Sequence, residues 1–67
     1  MEKVFKELHG KKVVMLIDAV FPDKDGIASW ELQGVLYYKD GVVNLITPSI
    51  TYYINPNYII AIWEKEY

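Results

Sequence analysis

Ala28-Ser29-Trp30-Glu31-Leu32-Gln33-Gly34-Val35-Leu36-Tyr37-Tyr38 is the stretch that decides the fold class. Ala28, Trp30, Leu32, Gly34 and Leu36 alternate with Ser29, Glu31, Gln33, Val35 and Tyr37. A period of two places the first set on one face of a strand and the second on the other, giving one core face and one mostly wet face. Gly34 inside the run marks a sharp bend or a close backbone approach, as at a barrel corner. Lys39-Asp40-Gly41 follows, and Asp-Gly between apolar runs is a strong hairpin signal. The next strand must therefore return antiparallel.

Downstream, Val42–Thr47 reads as that returning strand, ended by Pro48-Ser49. Ile50–Ile54 reads as another, and Asn55-Pro56-Asn57 as a tight turn. Tyr58–Glu64 is the last, with Ile59, Ala61 and Trp63 expected on one face and Ile60 and Ile62 on the other. Upstream, Lys11–Phe21 carries Val13, Met15, Ile17, Ala19 and Phe21 on one side. Val14, Leu16 and Val20, interrupted by Asp18, lie on the other side, so both faces are expected to be covered. Glu2–Leu8 reads as a short helix with Val4, Phe5 and Leu8 in one apolar stripe and Gly10 as its stop signal. Alone it would be marginal in water, so it must pack on the strands. Pro22-Asp23-Lys24-Asp25-Gly26 is a turn whose composition suggests a calcium loop. The spacing fails: with Gly26 at the invariant glycine, the first and last ligands would be Phe21 and Leu32.

A single domain of 67 residues exposes the reason for its apolar excess. A chain this short buries only about 60% of its unfolded surface, so its core is marginal. Disulfides, metals or oligomerisation usually compensate. There is no cysteine, and His9 is the only imidazole, which removes disulfides and leaves no zinc ligand set. Hydrophobic residues nevertheless make up 52% of the chain, more than its interior can hide. Self-association is the expected outlet. Seven lysines, nine acids and no arginine give a net charge of −2. That balance argues against a broad phosphate-binding surface and against duplex DNA. No apolar run is long enough to span a membrane, and Met1–Gly10 is too charged for a signal peptide, so a cytoplasmic protein is expected.

The order of elements and several spacings resemble the Sm and Sm-like family, which includes the Hfq-like RNA chaperones. Gly34, Leu36, Asp40, Asn44 and Leu45 stand at the spacing of that family's first motif, and Ile54, Ile59 and Ile62 at that of its second. Leu8, Gly10, Lys11 and Val13 are similar to its junction between helix and first strand. The resemblance implies a short helix (residues 1–10) followed by a five-stranded, strongly bent antiparallel barrel (residues 11–64) of SH3-like or Sm-like form. It also implies a homo-oligomeric ring joined by the fourth strand of one subunit and the fifth of the next. The interface would draw on Ile50, Tyr52, Tyr53, Ile54, Tyr58, Ile60 and Ile62. Short single-stranded RNA would bind near Asp40, Val42 and Asn44 and near Asn55 and Asn57. Two departures stand out. Val42 occupies a position that often carries a base-stacking ring, and Asn55-Pro56-Asn57 puts no cation at the second turn.

Each residue also has a plainer reading. Asp40 and Asn44 can tie down their own hairpin, and Asn55 and Asn57 are natural turn formers. Tyr37, Tyr38, Tyr52, Tyr53 and Tyr58 suit protein interfaces as well as bases. Trp30 and Trp63 read as core or interface, and His9 as a helix cap or surface residue. The alternative function is accordingly a structural or protein-interaction barrel that oligomerises without an RNA pocket. An enzyme is not expected: there is no nucleophile motif and no glycine-rich phosphate loop, and no cofactor or metal is implied.

Overall fold

The computed structural model of the chain describes residues 2–20 and 27–66. The turn at Pro22–Gly26, with its calcium-like composition, and the Phe21 end of the first strand lie outside these residues. The elements are α1 (Glu2–Leu8), β1 (Lys12–Val20), β2 (Ile27–Lys39), β3 (Val42–Ile46), β4 (Thr51–Ile54), a single 3-10 turn at Pro56–Tyr58, and β5 (Ile59–Glu64). All five strands form one antiparallel sheet in the order β4-β3-β2-β1-β5.

That order corrects the expectation of a closed barrel. Closure requires a ladder between β4 and β5, and these are the two edges of an open sheet. The sheet is nonetheless curled. Four steps of about 4.8 Å would set the edges of a flat sheet about 19 Å apart. Ile54 and Ile59 are joined through Asn55 and the 3-10 turn, a link that spans at most about 18 Å even if fully extended and less with a helical turn within it. A helical turn in place of a two-residue hairpin sends β5 round a corner to pair with β1, so its one ladder is made there.

Gly34 lies where the curl needs it. A Cβ at this position would stand 2.5 Å from the Ile46 carbonyl oxygen and 3.2 Å from Leu45 Cγ. The end of β3 therefore crosses the β2 backbone at a separation only glycine allows. Beneath it, Val13, Met15, Leu36, Val43 and Leu45 are fully buried, all from the three central strands. Leu32, Tyr38, Tyr52, Ile54 and Ile62 pack against this core from its margins.

Helix α1 covers one side. Phe5 is buried, with its ring centroid 5.3 Å from that of Tyr38, and Leu8 packs on the same cluster. Val4 falls off the stripe and is exposed. The chain leaves α1 through Gly10, whose φ of +81° is the left-handed value a glycine stop supplies. Gly10 N–H donates to Leu36 O at 2.7 Å and Leu36 N–H to Lys11 O at 3.0 Å. These bonds extend the ladder along β2 beyond the start of β1, which fixes the helix against β2.

Strict alternation misplaces part of β5. Leu16 pairs with Ala61 but Ile17 pairs with Ile59, so Ile60 is the extra residue of a β-bulge. The bulge turns both Ile59 and Ile62 toward the core and leaves Ile60 52% exposed. Both tryptophans also stand outside the core, Trp30 at 46% and Trp63 at 45% exposure.

Candidate functional site

The Asp40-Gly41 turn builds the site by fixing a register. Asp40 has φ of +52° and Gly41 of +79°, and Lys39 pairs directly with Val42. Two consecutive left-handed residues in a two-residue loop make a type I′ turn, whose twist matches that of the strands it joins. Tyr37 is thereby set opposite Asn44, and Asn44 is in turn opposite Tyr53 on β4. Directly paired residues share a face, so a Tyr37–Asn44–Tyr53 row crosses the outer surface of β2, β3 and β4. Tyr53 is 79% exposed and Tyr37 43%.

A groove of about 550 Å³ lies on the Tyr37–Asn44 part of this row, lined by His9, Tyr37, Lys39, Asp40, Val42, Asn44 and Ile46; Tyr53 stands outside its lining. His9 Nδ1 accepts a hydrogen bond from Tyr38 N–H at 3.0 Å. Its ring meets Tyr37 edge-on, with centroids 5.3 Å apart and planes at 86°, a favourable geometry for paired aromatics. The acceptor role requires Nδ1 to be unprotonated.

Asn44 is the polar centre of the groove. Its Oδ1 is enclosed and has no hydrogen-bond partner. The reading in which Asp40 and Asn44 brace their own hairpin therefore finds no bond to carry it. Asp40 acts on the hairpin through its backbone conformation instead. A chain ordinarily avoids an orphan carbonyl, which costs about 1–3 kcal/mol when enclosed.

Of the residues singled out from sequence, the structure gathers Asp40, Val42 and Asn44 on this groove. Asn55 and Asn57 are elsewhere, shaping the 3-10 turn: Asn55 Oδ1 accepts from Asn57 N–H at 2.9 Å, and Tyr58 N–H donates to Asn55 O at 3.0 Å. His9, Tyr37, Lys39 and Ile46 are the lining residues that strand patterning did not assign to the groove. The residues expected at an interface divide in two. Ile50, Tyr53, Tyr58 and Ile60 are exposed, whereas Tyr52, Ile54 and Ile62 pack partly into the core.

Charge is sparse here. Lys39 and Asp40 are the only lining residues of opposite formal charge, and no arginine is present in the chain. Among the described residues no group of three His, Asp or Glu side chains converges, and no helix is long and apolar enough to cross a membrane. Comparison of the chain with protein-family models, with characterised proteins and with solved structures finds no match.

Proposed function

We propose that this chain is an Sm-like, Hfq-like module that assembles with copies of itself and takes short single-stranded RNA in the groove centred on Asn44. The observation that carries this reading is the Asn44 amide, set without an internal partner between Tyr37 and Tyr53 on an outer face. Once the Asn44 side chain turns its enclosed oxygen outward, the amide offers donor and acceptor to a base edge, and flanking rings offer stacking worth about 1–3 kcal/mol per base. His9 and Tyr37 supply at one wall the π faces that Val42 does not. With Lys39 as the one cation of the groove, binding rests on bases more than on phosphates. Its salt dependence should be shallow, with a logarithmic slope of about −0.7 for one phosphate contact to a single strand.

The test is a titration of labelled oligo-U and oligo-A into the full chain at low salt. Micromolar or tighter binding that weakens in Asn44→Ala supports the proposal. No binding to either oligomer by a well-formed assembly rejects it.

A second reading has its own support. Both β4 and β5 present unpaired edges, and Ile50, Tyr53, Tyr58 and Ile60 are exposed beside them. A module that joins its edges to neighbours, with no RNA ligand, uses these features fully. Light scattering at micromolar concentration that finds a monomer removes the assembly from both readings.

A further inference from the structure

The groove centred on Asn44 is lined by the chain's one imidazole, and the fold gives that ring a specific place. Leu36 bonds through both its backbone groups to the segment before β1: Gly10 N–H donates to Leu36 O at 2.7 Å and Leu36 N–H to Lys11 O at 3.0 Å. Tyr38, two residues on, aims its N–H to the same side of β2, but the chain has already turned at Gly10. His9 Nδ1 takes the place of the next backbone carbonyl and accepts from Tyr38 N–H at 3.0 Å. An accepting ring nitrogen carries no proton, so the neutral imidazole keeps its proton on Nε2. His9 is exposed, and among the described residues its ring makes no other hydrogen bond and no ion pair.

We propose that His9 is a proton switch for this groove: neutral, it closes the β2 ladder; protonated, it releases Tyr38 and becomes a second cation beside Lys39 for the phosphate of a bound strand. The inference rests on the reading of the groove as an RNA site. A second proton can enter the ring only at Nδ1, where it meets Tyr38 N–H donor to donor. The ring must then turn away from β2, and its edge-on contact with Tyr37, at 5.3 Å between centroids, is given up with the bond. Helix α1 need not follow, because Phe5 and Leu8 anchor it in the core. The titratable groups around the ring are few. Lys39 and Asp40 line the groove with it, and Tyr37 and Tyr38 meet it from β2. On the helix before it Lys6 is held by Glu2 at 3.0 Å, and beyond Gly10 Lys11 is held by Glu64 at 3.5 Å. No carboxylate of the described residues lies within ion-pair distance of the imidazole, so its charge is left for a ligand. By linkage, a phosphate that favours the charged ring is bound more tightly as protons become available.

Histidine is the side chain that changes charge between about pH 5 and 8, and with one histidine in the chain the assignment is direct. In the ligand-free chain, the Tyr38 amide resonance should move through a single transition between about pH 8 and about pH 5.5. Its protection from hydrogen exchange should drop about fivefold, the worth of one hydrogen bond. In titrations with labelled oligo-U, affinity should rise about tenfold over the same range, as a charge-assisted hydrogen bond is gained for a neutral one lost. The logarithmic salt slope should steepen from about −0.7 to about −1.4 as a second phosphate is neutralised. His9→Asn, whose side-chain oxygen accepts at every pH, should keep Tyr38 bonded and show none of these changes. A Tyr38 amide indifferent to pH, oligo-U affinity unchanged or lowered by acid, or a His9→Asn profile matching the parent would overturn the switch. Absence of oligo-U binding at either pH would reject the RNA reading and the coupling with it, while the Tyr38 amide still decides the release on its own.

Discussion

Substituting Gly34 by alanine adds one methyl group and strikes the backbone of a neighbouring strand. The new Cβ would lie 2.5 Å from the Ile46 carbonyl oxygen, 3.1 Å from the Ile46 carbonyl carbon and 3.2 Å from Leu45 Cγ. Two of these three atoms are backbone, so no rotamer change relieves the contact, and β3 must move off β2. Overpacking of a tight site costs about 1–3 kcal/mol, and a clash with main chain belongs at the upper end. A domain of this length has a total stability of about 3–10 kcal/mol. With a urea m-value near 1 kcal/mol/M, the unfolding midpoint of Gly34→Ala should fall by about 2–3 M. Gly10→Ala is the control. Gly10 has φ of +81° but open space around it, so alanine there meets only the left-handed backbone penalty of about 1–2 kcal/mol. Urea titration followed by tryptophan fluorescence, at one fixed protein concentration, compares the two. A midpoint shift for Gly34→Ala below about 0.5 M, or no larger than that for Gly10→Ala, would refute the close crossing of β3 over β2.

Other substitutions probe the groove and its supports. His9→Ala removes the acceptor of Tyr38 N–H and the ring against Tyr37. It should cost about 0.5–1.5 kcal/mol and speed hydrogen exchange at Tyr38; unchanged exchange would disconnect His9 from the helix–sheet junction. Asp40→Val forces a β-branched residue to φ of +52° and should destabilise by about 1–2 kcal/mol, whereas Asp40→Asn should stay within about 0.5 kcal/mol of the parent in the same denaturation assay. Asn44→Ala deletes an enclosed carbonyl without a partner, so thermal unfolding should be unchanged or shifted upward while oligo-U affinity falls. A stability loss above about 1 kcal/mol would mean that Asn44 braces the fold after all.

Local signals carried much of this fold, and the failures are non-local. The bounds of α1, Glu2–Leu8, follow from a stripe and a glycine stop. Strands β1 to β5 lie within a residue of their expected ends wherever the structure describes them, because alternation and turn residues act over a few positions. Asp40-Gly41 set the hairpin register that brings Asn44 beside Tyr37. The bulge at Ile60 escaped because β5 reads as unbroken alternation, and only its pairing with β1 shows the extra residue. Closure was overestimated because nothing in Thr51–Ile54 states whether its outer edge meets β5 of the same chain. His9 is exposed, as its surface reading has it, but local sequence gives no sign of its partner, Tyr38, which lies 29 positions away and meets it only once α1 docks on β2.

The open edges bear directly on the choice of an assembling module. Proteins blunt exposed edge strands with charges, prolines, bulges or a covering element. Strand β4, Thr51-Tyr52-Tyr53-Ile54, has neither charge nor proline within it. On β5 the one charge is Glu64, at the far end, and the bulge at Ile60 pushes an isoleucine outward. The core cannot absorb these side chains, since its fully buried members beyond Phe5 come from β1, β2 and β3. Tyr53 is held on the outer face by its pairing with Asn44, and Ile60 by the bulge, so neither can turn inward without a change of register. An apolar edge that its own chain does not pair is open to pairing by another chain, as the proposed assembly requires, or to aggregation. The curl brings the two unpaired edges of one subunit toward each other, so a neighbour's β5 on β4 leaves a β5 free to take the next β4. Such heterologous contacts close into a ring when the rotation between subunits permits, and for a domain with so small a core that pairing would be part of folding itself.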